Sequence, residues 1–244
     1  MNSSIVESFK KIQRKDIFIT DNYLSQTPFH SAYWSHSRLK KAITANSHQA
    51  KGVLLDIGCG VKPYEKVFAP FVEKHWGLEY SPESGYWGNR ADVCGDASML
   101  PFVDDSVDTI LCTEVLEHVS HPEKVISEFA RILRPGGVII TTAPFFYPIH
   151  DSFDFFRYTD KGLAEIMQRQ GFIIDKVQPL SGTGITLAIL FNIYWFDTGF
   201  LWTKWLYPIG VILRPLLLLL VFLVNVTEGS PKKFCRQIIC RSII

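Results

Sequence analysis

The residues whose types and spacing point most directly to chemistry are Asp56, Gly58, Gly60 and Glu79. Asp56-Ile-Gly58-Cys59-Gly60 follows a short apolar stretch, Val53-Leu54-Leu55. Glycines in that place let the backbone approach a ligand more closely than any side chain would allow. In open parallel sheets, ligands sit beyond the carboxyl ends of the strands. An acid about 20 residues on, at the end of a second strand, is placed to accept both hydroxyls of a ribose, and here that acid is Glu79. The pattern is therefore one for a nucleoside-bearing ligand. A dinucleotide turn calls for a third glycine, where this chain has Pro63. Asp56, ahead of the glycines, suits a ligand that carries positive charge. A second dense group lies further along, where Glu114, Glu117 and His118 follow one strand and Tyr147-Pro-Ile-His150-Asp151-Ser-Phe-Asp154-Phe-Phe-Arg157-Tyr158-Thr159 follows the next. His150 is the better base of these, because histidine changes charge near neutrality. Each has a plainer reading as well. His150 and His118 would fix loops, Asp154 and Arg157 would pair with each other, Tyr158 would pack, and Thr159 would cap the following helix.

Positioning these groups requires alternating strands and helices, and the chain reads that way. A helical stretch is expected over 32–46, then strands at 53–55, 75–79, 93–95, 107–112, 138–143 and 172–177. Short or amphipathic helices are expected at 63–69, after Ser120 and at 160–170. Ser120-His-Pro-Glu123 has the form of a capping box, with Val125, Ile126, Phe129, Ile132 and Leu133 behind it along one helical face. Pro135-Gly136-Gly137 is expected to end that helix, and Gly171 to close the next. Strands apolar on both faces predict a parallel sheet covered on both sides.

Composition narrows the function classes. The chain has 244 residues, 47% hydrophobic and 20% charged, with a net charge of +1. This suits one folded domain with an appendage and excludes global disorder. The middle, 51–182, is acidic (12 Lys/Arg against 19 Asp/Glu), between basic flanks. That argues against nucleic acid as a partner. Five scattered cysteines form neither a disulfide framework nor a zinc pair, so no metal is expected, and Cys59 and Cys112 read as small core residues. The N-terminus lacks the apolar stretch of a secretory signal, and a reducing cytoplasm is the expected setting.

These motifs together resemble the class I S-adenosylmethionine-dependent methyltransferases over residues 50 to 182. Val53-Leu-Leu-Asp-Ile-Gly-Cys-Gly60 is similar to the family's first motif, and Gly77-Leu-Glu79 to its acid-ended second strand. Gly95-Asp96-Ala-Ser-Met-Leu-Pro-Phe102 is similar to its adenine-recognising segment. Val107 to His118, and Arg131-Ile-Leu-Arg-Pro-Gly-Gly137, resemble its fourth-strand and later motifs. The nearest resemblance is to bacterial members that combine a Gly-Cys-Gly-x-x-Pro-Tyr turn with a His…Asp-Phe-x-Arg-Tyr-Thr segment. One departure is Lys62, where a third glycine often stands.

The resemblance implies a Rossmann-like α/β fold. Its sheet has seven mostly parallel strands flanked by helices, with a last strand returning antiparallel between strands five and six. It implies S-adenosylmethionine as methyl donor, held by Asp56, Gly58, Cys59, Gly60, Glu79, Tyr80, Asp96, Ala97, Met99 and Glu114. Asp56 would order the turn and face the methionine amino group, through water or directly. Glu79 would bind the ribose hydroxyls and Asp96 the adenine amino group, with Met99 and Leu100 as apolar walls. For Asp96 an ordinary Gly-Asp turn is the alternative. The acceptor end would hold His150, Asp154, Arg157, Tyr158 and His118. The expected acceptor is a small molecule, a glycan or a lipid-linked molecule. The readings of another class are a catalytically inactive donor-binding or membrane-docked scaffold and a nicotinamide-dependent oxidoreductase.

The expected organisation is an N-terminal mixed segment (1–50), the donor-binding domain (51–182), an apolar helical insertion (183–227) and a basic tail with the last strand (228–244). The insertion carries only Asp197, Lys204 and Arg214 as charges and ends in Leu216-Leu-Leu-Leu-Leu-Val-Phe-Leu-Val224. A helix needs about 20 apolar residues to span a bilayer. If the last strand rejoins the sheet, a single crossing is ruled out and a two-helix hairpin over 185–206 and 208–226 is allowed. Trp195, Trp202, Trp205 and Tyr207 suit a membrane interface. The expected contact is with the cytoplasmic membrane through 185–226, peripheral or hairpin-anchored. The alternative is an apolar cap or homodimer contact on the same surface.

Overall fold

A computed structural model describes residues 33–80, 90–149 and 152–182, the backbone of 235–242, and six single positions between 186 and 223. The expectations for residues 1–31, for the insertion and for His150 lie outside the described residues. By contact, Leu39–Gly182 with Pro231–Ile244 forms one compact unit, and Met1–Arg38 with Thr183–Ser230 another. The first holds the sheet and the residues of the candidate site. Among the described residues no helix is long and apolar enough to cross a membrane.

Seven strands make the sheet: β1 (Val53–Ile57), β2 (Lys74–Glu79), β3 (Val93–Cys94), β4 (Val107–Thr113), β5 (Leu133–Ala143), β6 (Phe172–Ser181) and β7 (Cys235–Ser242). Their order is β3-β2-β1-β4-β5-β7-β6. The strands from β3 to β5 run parallel, while β7 pairs antiparallel with both β5 and β6. The α-helices with described bounds are α1 (Tyr33–Asn46), α2 (Glu65–Phe68), α3 (Pro122–Ile132) and α4 (Asp160–Arg169). This is a Rossmann-like α/β fold with a mostly parallel sheet.

Successive strand residues point to opposite faces, and here both faces are covered. Leu55, Ile57, Ile110, Cys112 and Ile139 join one core with Val125, Ile126, Phe129 and Ile132 of α3 and Leu163 and Met167 of α4. Their neighbours Leu54, Leu111, Val138 and Ile140 join a second core with Leu39, Ala42 and Ile43 of α1 and with Phe68. The near-continuous apolar strands follow from this double burial. Phe129 is fully buried, a contribution of about 1.5–3 kcal/mol for a side chain of that size.

Two local expectations are corrected. Ser120 does not open a capping box. α3 starts at Pro122 with His121 as its N-cap and no side-chain cap bond. The Ser120 hydroxyl is paired with His121 Nδ1 at 2.8 Å, so the neighbouring ring has taken the group that would have capped the helix. Pro135-Gly136-Gly137 does not close α3 either. The helix ends at Ile132, and the tripeptide lies inside β5, where the pairing jumps from Val107↔Leu133 to Thr109↔Val138. Proline has no N–H for the ladder, and Gly136 sits at φ +70, so the strand bulges there. Thr159 caps α4 as expected, accepting from Gly162 N at 2.9 Å.

Candidate donor and acceptor site

The turn after β1 is held in a left-handed backbone at three places: Gly58 (φ +66), Gly60 (φ +51) and Lys62 (φ +52). A Cβ on Gly58 would stand 2.5 Å from Val115 Cγ2, so glycine is needed there for space as well as for conformation. Gly58 N and Cys59 N both donate to Leu78 O, at 2.9 and 3.2 Å, and Gly60 N donates to Glu79 Oε1 at 2.7 Å. The glycine turn and the acid that ends β2 are thus one hydrogen-bonded unit. Burial pushes the Glu79 carboxyl up, against the pull of the Gly60 and Tyr80 N–H groups.

Asp56 sits inside the turn it is expected to order. It is 2% exposed, and its Oδ2 lies 3.1 Å from His75 Nε2 on β2. Burial raises its carboxyl and His75 opposes the rise. Asp56 therefore orders the turn from within the fold and does not present its charge at the surface of the turn. Cys59 is buried, with its thiol pushed up to about 12 by burial and nearby carboxylates. Cys112 is buried too.

The segment after β3 lies against Glu79, since Gly95 N donates to Glu79 O at 2.9 Å. Asp96 Oδ1 accepts from Ser98 N at 2.7 Å and Asp96 O from Met99 N at 3.0 Å, which is the ordinary turn weighed as the alternative. Ala97 is buried, while Tyr80 and Met99 are each 77% exposed. Leu100, expected as an apolar wall, is buried in the core, and its N–H donates to Glu128 Oε2 at 2.7 Å.

At the far end of β4 and β5 the polar groups are placed differently. Glu114 adopts φ +53 although it is not glycine, and its N–H donates to Thr142 O at 3.2 Å. Glu114 Oε1 and Glu117 Oε2 are buried with no hydrogen-bond partner. Burial, then the charge of Glu114, pushes Glu117 up to about 9. Burial also raises Glu114, against Thr142, His118 and Arg157. His118 Nδ1 donates to Phe153 O at 2.7 Å, and its Nε2 lies 3.7 Å from Glu117 Oε1.

Asp154, Arg157 and Tyr158 hold this end together. Arg157 pairs with both oxygens of Asp154 and donates to Tyr147 O at 3.0 Å and Pro148 O at 3.1 Å. Tyr158 OH donates to Leu116 O at 2.9 Å, and Phe155 N donates to Glu117 O at 2.8 Å. The bonds of His118, Asp154, Arg157 and Tyr158 are those of their plainer, loop-fixing readings. Phe146, Ile149, Phe153 and Phe155 stay exposed on this segment.

Sequence reasoning missed His75, Lys62 and Asp92 as parts of the site. Their signal is the register, which sets Asp56 opposite Gly77 and Leu54 opposite His75. Among the described residues no group of three His, Cys, Asp or Glu is arranged to hold a metal. The residues do fit a nucleoside ligand. The acid at the end of β2 is already hydrogen-bonded to the Gly60 amide of the turn, the pairing of backbone and carboxylate that a ribose-bearing ligand calls for.

Comparison with known proteins agrees with this geometry. Residues 55–141 match the methyltransferase domain family. An uncharacterized methyltransferase of Mycobacterium marinum is 35% identical over 94 residues, which are 36% of this chain and 37% of that protein. The chain thus spans little more than a third of the length of such a relative. Among solved structures, an S-adenosylmethionine-dependent methyltransferase from Mesorhizobium loti superposes with a TM-score of 0.53 at 14% identity, covering 85% of this chain and 99% of that one. The [4+2]-cyclase SpnF superposes with a TM-score of 0.55 at 20% identity, covering 85% of this chain and 80% of that one. At such identities the superpositions speak for the fold alone. Fold, motif order and family match converge on one stretch: residues 55–141, within a Rossmann-like α/β sheet, match the methyltransferase domain family.

Proposed function

We propose that the protein transfers a methyl group from S-adenosylmethionine to a small-molecule, glycan or lipid-linked acceptor. The observation that carries this is the bond from Gly60 N to Glu79 Oε1 across a left-handed turn. It joins a backbone that admits close approach to a carboxylate suited to ribose hydroxyls. The donor supplies a methyl already activated by its sulfonium, so no covalent enzyme intermediate is needed. The chain's tasks are to bind, to orient the nucleophile, to keep water out and to take a proton where the nucleophile carries one. Glu79 binds ribose in this reading, Tyr80 and Met99 flank the base, and Asp96 holds its segment in place. Glu114, at the end of β4, stands between the donor turn and the acceptor segment. His150 remains the leading base, in a segment that Arg157, Asp154 and Tyr158 anchor.

Calorimetry with S-adenosylmethionine, its demethylated product and NAD tests the donor. Binding of the first two without the third is expected, and the reverse would replace this reading with an oxidoreductase. Incubation with labelled donor and extracted lipids or glycans tests turnover. A chain that binds donor yet labels nothing supports the scaffold reading, which the SpnF likeness keeps open because that fold also serves a protein named for other chemistry. His150→Ala with normal donor binding and full turnover would remove His150 as base. For the insertion, the sequence supports a hairpin or peripheral contact with the cytoplasmic membrane. Co-flotation of the full chain with anionic liposomes tests it, and a wholly soluble, liposome-indifferent protein would contradict it.

A further inference from the structure

Lys62 occupies the place where the resembling turns often carry a third glycine, and it keeps the glycine-like backbone, φ +52. A lysine there is expected to point into solvent, yet it is 7% exposed. Its Nζ donates to His75 O at 3.1 Å and pairs with Asp92 Oδ2. The same Asp92 oxygen accepts from Gly77 N at 2.7 Å, and Asp92 N donates to Gly77 O at 2.8 Å. The path of the side chain is set by a second glycine, since a Cβ on Gly77 would stand 2.5 Å from Lys62 Cε and 2.5 Å from Cys59 Sγ. The neighbouring residues repeat the link on the surface, where Arg90 donates to Glu65 Oε2 at 2.8 Å and to Val61 O at 3.4 Å.

The lysine therefore ties three pieces of chain that meet at the donor. These are the glycine turn at 58–62, the strand β2 two residues before Glu79, and the residues 90–92 that lead into β3. A buried ammonium is retained only where its donors are satisfied, and the bonds to His75 O and Asp92 serve that end. A third glycine would free the turn, whereas Lys62 locks it against β2.

We propose that Lys62 is a positioning residue for the methyl donor, holding the Gly60 amide and the Glu79 carboxylate at their mutual distance through its bonds to Asp92 and His75. The proposal rests on the donor reading above, so wild-type binding of S-adenosylmethionine is measured first, and its absence would defeat that reading and not this one. Three variants follow, Lys62→Met, Lys62→Gly and Asp92→Asn, each compared with wild type by calorimetry and by amide hydrogen exchange without ligand. The expected result is affinity for S-adenosylmethionine lowered about tenfold in each, since each variant removes a charged hydrogen bond of the tether. Exchange at the Gly60 and Gly77 amides should accelerate. Lys62→Gly separates the tether from backbone strain, because glycine is at ease at φ +52 and a mere relief of strain would leave binding equal or better. Should Lys62→Met fail to fold, Asp92→Asn decides, as its side chain is 36% exposed and the change is isosteric. Folded Lys62→Gly or Asp92→Asn proteins with wild-type affinity and unchanged exchange would overturn the proposal.

Discussion

The two ends of the site are built on opposite plans. At the donor end, between β1 and β2, Gly60, Glu79, Asp56, His75, Lys62 and Asp92 bond with one another, and backbone N–H groups meet carboxylates across the strands. At the acceptor end, beyond β4 and β5, Glu114 and Glu117 each keep a buried oxygen without a partner, and phenylalanines stand in solvent. The first arrangement is already hydrogen-bonded without a ligand, a preorganisation that suits a constant ligand. The second keeps unspent polar capacity and exposed apolar surface, which suits a ligand particular to this protein. The scaffold of the acceptor end is nonetheless firm, through Arg157–Asp154 and Tyr158–Leu116.

The largest expected effect breaks that scaffold. Arg157→Ala leaves Asp154, whose side chain is 1% exposed, without its bidentate cation. Removing one partner of a buried pair costs about 3–5 kcal/mol, which in a domain of this size lowers Tm by roughly 10 °C. Donor affinity of the protein that remains folded at low temperature should be unchanged. A parallel loss of donor affinity would show that the two ends are not separable.

Next comes the donor end. Glu79→Ala should weaken S-adenosylmethionine binding about 100-fold, as two charged hydrogen bonds to ribose and one to Gly60 N go with the carboxylate, and a calorimetric titration reads this directly. Gly58→Ala follows. An L-residue in the left-handed region costs about 1–2 kcal/mol, and the new methyl meets Val115 Cγ2, so thermal melts should fall by roughly 5–10 °C with donor binding weakened alongside.

A pH series supplies a further test. Burial, then Glu114, holds Glu117 at about 9 in the folded protein, above the unfolded value of about 4.3. Its neutral form therefore favours the fold. That contribution is fully present below the unfolded value and is lost as pH rises toward 9. Glu117→Gln, neutral throughout, should melt progressively higher than wild type from pH 5 to pH 9. Parallel melting curves would mean that Glu117 is ionised in the folded state.

The donor end was legible in sequence to the extent that its signals are local. Gly58 and Gly60 directly follow a strand, Glu79 ends the next, and Thr159 stands at a helix start; all sit where spacing places them. What escaped depends on register. His75 meets Asp56 because β1 and β2 pair with Asp56 opposite Gly77, and Lys62 reaches Asp92, 30 residues on, because Gly77 leaves it a path. Ser120 misled because its hydroxyl had a nearer partner than the helix end, in His121. Pro135-Gly136-Gly137 misled because a strand bulge uses the same residues as a helix stop. At the acceptor end the residue types were visible, and so was the pairing of Asp154 with Arg157 as their plainer reading; the two do bond to each other.

The central claim is that the turn after β1 and Glu79 together hold S-adenosylmethionine. The most direct measurement is a calorimetric titration of the folded chain and of Glu79→Ala with the demethylated product of that donor. The account predicts one site per chain in the wild type and about 100-fold weaker binding in the variant. Absence of binding by the folded wild type, or equal binding by the two proteins, would contradict it.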